Sequence, residues 1–299
     1  MTNSDLGVSV IIPAFNEELG IRSVLTDLVA TLADSSLLSY EVLVVDDGSE
    51  DDTAAVAAEF SDVRVIVHQT NQGYGASLKS GIRQAQYEVL AITDADNTYP
   101  NAEIPILVQQ LVDGSFDMVV GARTGDQVSI PLIRRPAKWI VRQLAIIVAE
   151  QPIPDLNSGL RVFRRTTVRR YLGLLPNGFS FTTTITLAML TNDCLVAYHP
   201  INYAPRIGRS KIRPIRDTIG FIGLVLRIAL YFAPMKLFMP LGTLLALAGL
   251  AWGMISRFWL DRLADVSTLV IVLAGMQVGL LGLVAELINR RLPNIYREN

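Results

Sequence analysis

Short β-branched runs alternate with amphipathic stretches through the first hundred residues. Val8 to Ile12, Val42 to Val45, Val63 to Val67 and Val89 to Thr93 predict strands, with helices predicted over Ile21 to Leu32, Thr53 to Phe60 and Ala76 to Gln84. Such alternation predicts a parallel sheet covered on both faces. Near the C-terminus the pattern changes to two uncharged apolar runs, Leu237 to Ile255 (19 residues) and Val266 to Ala285 (20 residues). At about 1.5 Å of rise per residue each reaches roughly 28–30 Å, the thickness of a bilayer's hydrocarbon core. The ten-residue connector Ser256 to Asp265 would make them a hairpin with both ends on one side. Before it, Arg213 to Tyr231 mixes Arg213, Arg216, Asp217 and Arg227 with Ile, Leu, Val and Phe, the pattern of a helix lying in the membrane interface. Pro234 and Pro240 allow the turn from that helix into the first span.

Composition supports a part-membrane protein: 51% of the 299 residues are hydrophobic and 18% charged, and mean hydropathy is +0.37. The near-neutral total hides an asymmetry. Residues 1–120 hold 4 Lys/Arg against 19 Asp/Glu, and residues 121–299 hold 22 against 9. An acidic first half suits metal-ion chemistry more than nucleic acid, and a basic second half leading into apolar helices suits anionic headgroups or a lipid phosphate. The single cysteine, Cys194, excludes an internal disulfide and a cysteine zinc cage. His68 and His199 stand alone and are expected to be structural. MTNSDLG lacks the basic region of a signal peptide, so the apolar runs are expected to do the targeting.

In open sheets ligands bind beyond the carboxyl ends of the strands, and the polar motifs fall there. Pro13-Ala14-Phe15-Asn16-Glu17 follows the first strand, Asp46-Asp47-Gly48-Ser49 the second and Asp94-Ala95-Asp96 the fourth. The second motif is either a turn with Ser49 or Asp52 capping the next helix, or a carboxylate accepting hydrogen bonds from a nucleobase or ribose. Asn71 to Ala76 is a glycine-bearing turn opening a helix, where the backbone around Gly73 could face phosphate. Two carboxylates one residue apart, Asp94 and Asp96, repel unless neutralised, and a divalent cation bridging to a diphosphate does this directly. Asp155 to Arg161 and Arg206 to Lys211 bring guanidinium or ammonium donors into loops with Gly and Ser, as phosphate binding requires. The other reading of each is a surface loop answering the acidic half.

Taken together, VIIPAFNEE (10–18), VVDDGSEDDT (44–53), NQGYGAS (71–77), TDADNTYP (93–100), GART (121–124), DLNSGLRVF (155–163) and RIGRSK (206–211) resemble glycosyltransferase family 2. Within it they are most similar to the dolichol-phosphate mannose synthase and bacterial polyprenyl-phosphate glycosyltransferase group. The resemblance implies an α/β GT-A (Rossmann-like) catalytic domain followed by an interfacial helix and a two-helix transmembrane hairpin. It implies inverting transfer of a hexose from a GDP- or UDP-sugar to undecaprenyl or dolichyl phosphate. On this reading Pro13, Glu17 and Asp47 hold the nucleoside, while Asp94 and Asp96 hold Mg²⁺ or Mn²⁺. Arg123, Arg206, Ser210 and Lys211 bind donor or acceptor phosphates, and Asp155 lies beside the reacting centre as an orienting group or weak base. The candidate catalytic residues are thus Asp96, Asp155 and Arg123, with Ala14, Gly73, Lys79, Ser158 and Arg161 completing the substrate-binding set.

The chain departs from the family pattern twice: Thr98 stands where some relatives place a metal-ligating Gln, and Phe179 to Thr184 lacks an acidic residue that many carry. The expected division is a transferase domain over 1–210, a juxtamembrane helix over 211–233 and the hairpin with its tail over 234–299. Arg227 and Lys236 before the first span and Arg290, Arg291 and Arg297 after the second predict a cytoplasmic catalytic domain on the plasma (inner) membrane, with Arg257 and Arg262 in the connector weighing against it. The expected partners are the nucleotide sugar, the polyprenyl phosphate and the bilayer, with no nucleic acid and self-association left open. Two alternatives are a processive polysaccharide synthase, disfavoured by the lack of a Gln-x-x-Arg-Trp segment, and a non-catalytic nucleotide-sugar-binding scaffold.

Overall fold

The structure, a computed structural model, describes residues 7–35, 39–124, 149–204, 233–259 and 265–291, with a few isolated positions between them. The elements are β1 (Gly7–Ala14), α1 (Glu18–Asp34), β2 (Ser39–Asp46), α2 (Thr53–Ala58), β3 (Val63–Val67), α3 (Tyr74–Gln84), β4 (Val89–Ile92), α4 (Ile104–Asp113), β5 (Met118–Ala122), β6 (Arg161–Arg164), α5 (Arg165–Tyr171), α6 (Phe181–Leu190) and β7 (Val196–Pro200). Two long helices, α7 (Pro234–Trp259) and α8 (Asp265–Arg291), complete the described chain.

One sheet of seven strands runs in the order β3-β2-β1-β4-β6-β5-β7. Pairings β3-β2, β2-β1 and β1-β4 are parallel, as the alternating pattern predicts. Beyond these four strands β6 runs antiparallel to both β4 and β5, making the sheet mixed. With two arginines bounding two apolar residues, β6 is too short to register as a strand by periodicity.

Alternation along β1 divides the core. Val8, Val10 and Ile12 join Val24, Leu25 and Leu28 of α1 and Leu107 and Leu111 of α4 on one face. Ile11 joins Leu78 and Ile82 of α3 and Phe181 and Ile185 of α6 on the other. Burial of each such side chain stabilises the fold by roughly 1.5–3 kcal/mol. Close approach is built in at Gly81, where a Cβ would lie 2.4 Å from Ile11 Cγ2. The parallel strands therefore end together, and the loops after β1, β2, β4 and β5 share one edge with the start of β6.

Helices α7 and α8 pack against each other through glycine. A Cβ on Gly242 would stand 2.6 Å from Gly275 O, and one on Gly275 2.6 Å from Ala246 N. Their outward residues, including Leu244, Leu247, Phe258, Trp259, Leu273 and Leu280, are exposed. Both helices are long and apolar enough to cross a membrane. Helix α7 continues to Trp259, so the expected ten-residue connector shortens to residues 260–264 and Arg257 belongs to the last turn of α7. Lys236 Nζ lies 3.0 Å from Glu150 Oε1, tying the start of α7 to the segment beside α6. The amphipathic stretch 213–231 lies outside the described residues apart from isolated positions.

Candidate active site

At one end of the shared edge, the loops after β1 and β2 are stitched together. Asn16, at φ +51°, donates its N–H to Ser49 Oγ (2.9 Å) and accepts from Glu50 N–H at Oδ1 (2.8 Å). Glu17 N–H donates to Thr53 Oγ1 (2.9 Å), and Asp47 N–H donates to Ala14 O (2.8 Å). Ser49 donates its hydroxyl to Asp46. Asp47 is 3% exposed, and its carboxylate accepts Gln72 N–H (3.0 Å) at Oδ1 and Gly73 N–H (2.7 Å) at Oδ2. His68 Nδ1 contacts Oδ1 as well (2.7 Å), while its Nε2 meets Ser80 Oγ (2.9 Å). A carboxylate has about four acceptor positions, and three are occupied here. Asp47 is therefore a latch on the 72–73 turn.

That latch takes up part of the glycine turn. Gly73, at φ +104°, gives its N–H to Asp47, and the amides of Ala76 and Ser77 donate back to Gly73 O. Lys79, also assigned to substrate, holds Asn177 Oδ1 at 2.8 Å. The turn and residues 176–178 pack backbone to backbone, since a Cβ on Gly75 would lie 2.2 Å from Pro176 O.

The other end of the edge is built from chain segments far apart in sequence. After β4, Asp94 is half-buried and accepts Tyr74 OH (3.0 Å), whereas Asp96 is 7% exposed and accepts Thr98 Oγ1–H (2.6 Å). Thr98 thus spends its hydroxyl on orienting Asp96. Asp155 receives a forked pair from Arg123, Nε to Oδ2 at 2.7 Å and Nη2 to Oδ1 at 2.9 Å, together with the backbone N–H groups of Arg123 and Asn157. The Arg123 guanidinium also lies 5.3 Å over the Tyr203 ring. Burial pushes the Asp155 carboxyl upward, but the Arg123 hydrogen bonds and charge prevail and hold it below the usual carboxylate range. Arg123 is raised despite its burial, by Tyr99 and by Asp155.

Two contacts join these groups. Gly159 N–H donates to Tyr99 OH at 2.7 Å, and a Cβ at Gly159 would lie 2.7 Å from Asp94 Oδ2. Only glycine lets the β6-side loop lie against that carboxylate. Tyr74 and Tyr99 were not singled out from sequence; the phenol beside each acidic or glycine motif was the available signal. Burial first, and Asp94 nearby, raise both phenols' pKa, so they remain hydrogen-bonding groups rather than phenolates.

Ser158 and Arg161 are corrections. Ser158 is fully buried and donates to Gly121 O (2.5 Å). Arg161 is also fully buried, and its guanidinium is spent on Ser158 O, Thr182 O (3.1 Å) and Thr186 Oγ1 (2.9 Å). It braces the loop against α6 rather than offering donors to a phosphate. Thr183, in the stretch that lacks the family's acidic residue, donates to Asn157. Pro13 and Ala14 close β1 with buried side chains and line the edge without offering polar side-chain groups. Arg206, Ser210 and Lys211 lie outside the described residues.

Asp94 and Asp96 offer hard oxygen donors, but among the described residues no three His, Cys, Asp or Glu side chains gather as a metal cage. Two carboxylates suffice for a cation of the Mg²⁺ type, which keeps waters and takes remaining ligands from substrate phosphates. The donor set fits a cation that shares a diphosphate.

Known proteins resemble this chain in fold and in sequence. The solved structure of glucosyl-3-phosphoglycerate synthase from Mycobacterium tuberculosis in complex with Mn²⁺, UDP and glucosyl-3-phosphoglycerate covers 75% of this chain and 79% of its own, with a TM-score of 0.56 and 22% identity, which shows a shared fold. The dolichyl-phosphate hexose transferase of Haloferax volcanii is 31% identical over 208 residues, 69% of this chain and 87% of that protein. An undecaprenyl-phosphate 4-deoxy-4-formamido-L-arabinose transferase of Klebsiella pneumoniae is 30% identical over 257 residues, 83% of this chain and 75% of that protein. The low-salt glycan biosynthesis hexosyltransferase Agl6 of Haloferax volcanii is 27% identical over 254 residues, but the chain spans only 59% of its length. Residues 233–290 match the GtrB C-terminal hairpin. With the glycosyl transferase family 2 profile matching residues 9–172, the chain belongs to that family.

Proposed function

We propose that this chain is a membrane-anchored transferase that moves a hexose, with inversion, from a GDP- or UDP-sugar to a polyprenyl phosphate. The observation that carries the reading is the meeting of the Asp94-Ala95-Asp96 loop with the Arg123–Asp155 pair through Tyr99 and Gly159, in a chain that ends in an apolar hairpin. The names of the dolichyl- and undecaprenyl-phosphate transferases support the same acceptor class.

The chemistry follows from the groups present. A phosphate monoester has its second pKa near 6, so a lipid phosphate is largely dianionic at neutral pH and needs little help from a base. Asp155, held below the ordinary carboxylate range, is a poor base and instead fixes the Arg123 fork. Arg123 then offers positive charge beside the reacting phosphates, and positioning with charge stabilisation supplies most of the rate. Asp94 and Asp96 would hold Mg²⁺ or Mn²⁺, which offsets charge on the departing nucleoside diphosphate. Asp47 latches the turn that borders the nucleoside, beside Pro13 and Glu17. Arg206, Ser210 and Lys211 are assigned to phosphate at the membrane surface. The hairpin anchors the protein in the plasma membrane with its catalytic domain cytoplasmic, and the Lys236–Glu150 contact sets the domain against the first span.

The test is transfer by the full-length protein in vesicles containing undecaprenyl or dolichyl phosphate, with a panel of GDP- and UDP-hexoses. Metal-dependent formation of a lipid-phosphate sugar is expected. Absence of any glycolipid across the panel, with nucleotide sugar bound but unreacted, would favour a scaffold.

A further inference from the structure

His68 carries an imidazole that the chemistry above does not use. It directly follows β3, and its backbone N–H extends the β2–β3 ladder to Asp46 O (2.9 Å). Its side chain is 8% exposed and that of Asp47 4%, so the two meet out of solvent. Three elements converge on this one ring. Nδ1 lies 2.7 Å from Asp47 Oδ1, just past β2, and Nε2 lies 2.9 Å from Ser80 Oγ on α3.

The partners fix the roles of the two nitrogens. A carboxylate only accepts, which assigns a proton to Nδ1, while a hydroxyl can donate or accept and so serves Nε2 in either state. Asp47 passes this anchorage on to the Gln72 and Gly73 N–H groups at the entrance of α3. Ser80 lies about two turns further along the same helix. The neighbouring backbones leave little slack. Gly48, at φ +72°, lies so close to the 70–71 peptide that a Cβ there would stand 2.8 Å from Thr70 C. A shift of the Asp47 carboxylate therefore displaces the 72–73 turn.

We propose that His68 is a positioning residue for the donor nucleoside: braced by Ser80, it fixes the Asp47 carboxylate and, through it, the 72–73 turn. The inference rests on the reading above that this turn borders the nucleoside. Its reach is confined to donor binding, because the reacting end has supports of its own. Asp94 is held by Tyr74, Asp96 by Thr98 and Asp155 by Arg123. Buried hydrogen-bond networks of this kind rigidify the groups they join, and a site held rigid loses less freedom when it binds.

The test uses full-length protein with Mn²⁺: calorimetric titration of GDP, UDP and inorganic pyrophosphate in detergent, and transfer kinetics in vesicles. His68→Leu and His68→Gln lack a donor where Nδ1 stands. Each should weaken binding of the nucleotide that wild type takes, and raise the donor KM, about tenfold, with kcat, the acceptor KM and pyrophosphate binding unchanged. His68→Asn places a carboxamide nitrogen where Nδ1 stands and should restore most of the affinity. Ser80→Ala should act in the same direction as His68→Gln but less. Should His68→Leu fail to fold, the contrast between His68→Asn and His68→Gln decides. Wild-type nucleotide affinity in folded His68→Gln, equal losses in His68→Asn and His68→Gln, or a fall in kcat at unchanged donor KM would overturn the proposal. A wild type that binds neither GDP nor UDP defeats the donor-site reading and this one together, while one that binds and transfers but ignores the His68 substitutions defeats only this one.

Discussion

The two ends of the strand edge carry similar acidic motifs and use them differently. Asp46 and Asp47 face inward, their oxygens occupied by Ser49, His68 and the 72–73 backbone, all within 26 residues. Asp94, Asp96 and Asp155 are held by a phenol, a threonine and an arginine fork, in segments that only the sheet brings together. One end is a latch that shapes a loop; the other is a constellation of carboxylates assembled from distant segments. An acidic cluster at a strand end therefore marks a functional edge, but its hydrogen-bond partners decide whether it braces or reacts.

This contrast is broken or sharpened by five substitutions. Asp96→Asn should lower turnover about 10²–10³-fold with little change in melting temperature; unchanged turnover in a folded protein would remove Asp96 from the reacting centre. Arg123→Ala strands the Asp155 carboxylate, whose pair is only 23% and 11% exposed, and should cost about 3 kcal/mol of stability as well as activity. Because the folded Asp155 carboxyl is depressed, its contribution is fully present above the unfolded pKa near 3.9 and is lost as pH falls through the lower folded value. The gap in melting temperature between wild type and Asp155→Asn should hold from pH 8 to about 5 and close below about 4; a gap that widens in acid would contradict the assignment.

Asp47→Asn presents an amide to the Gln72 and Gly73 N–H groups and should cost about 1–3 kcal/mol, read by urea denaturation, with weaker donor binding but a retained chemical step. An effect confined to turnover would make Asp47 a reacting group rather than a latch. The smallest effect belongs to Tyr74→Phe. The ring stack on Phe179 (centroids 5.5 Å apart) survives and only the Asp94 hydrogen bond is lost, at about 0.5–1.5 kcal/mol and a several-fold loss of turnover. Turnover equal to wild type would show that Asp94 needs no orientation from Tyr74.

The early strands and helices were legible because their apolar periodicity is local, and the acidic motifs because charge clusters stand out at strand ends. β6 was not legible: Arg161 reads as a solvent-facing donor until its guanidinium is seen capping carbonyls and a hydroxyl inside the domain. Residue type reveals a hydrogen-bonding capacity but not which contacts the fold gives it, as Lys79 on Asn177 and the Gly73 amide on Asp47 illustrate. Tyr99 and Gly159 meet across 60 residues, a contact that only the antiparallel return of β6 creates.

The central claim is that Asp94 and Asp96 complete a cation site with a nucleoside diphosphate while Asp47 serves the loop. Electron paramagnetic resonance titration of Mn²⁺ into the full-length protein tests it most directly, with and without GDP or UDP. The account predicts one tightly bound Mn²⁺ only when the nucleotide is present, lost in the Asp94→Asn, Asp96→Asn double variant and retained by folded Asp47→Asn at saturating nucleotide. Equal Mn²⁺ binding by the double variant and wild type would contradict it.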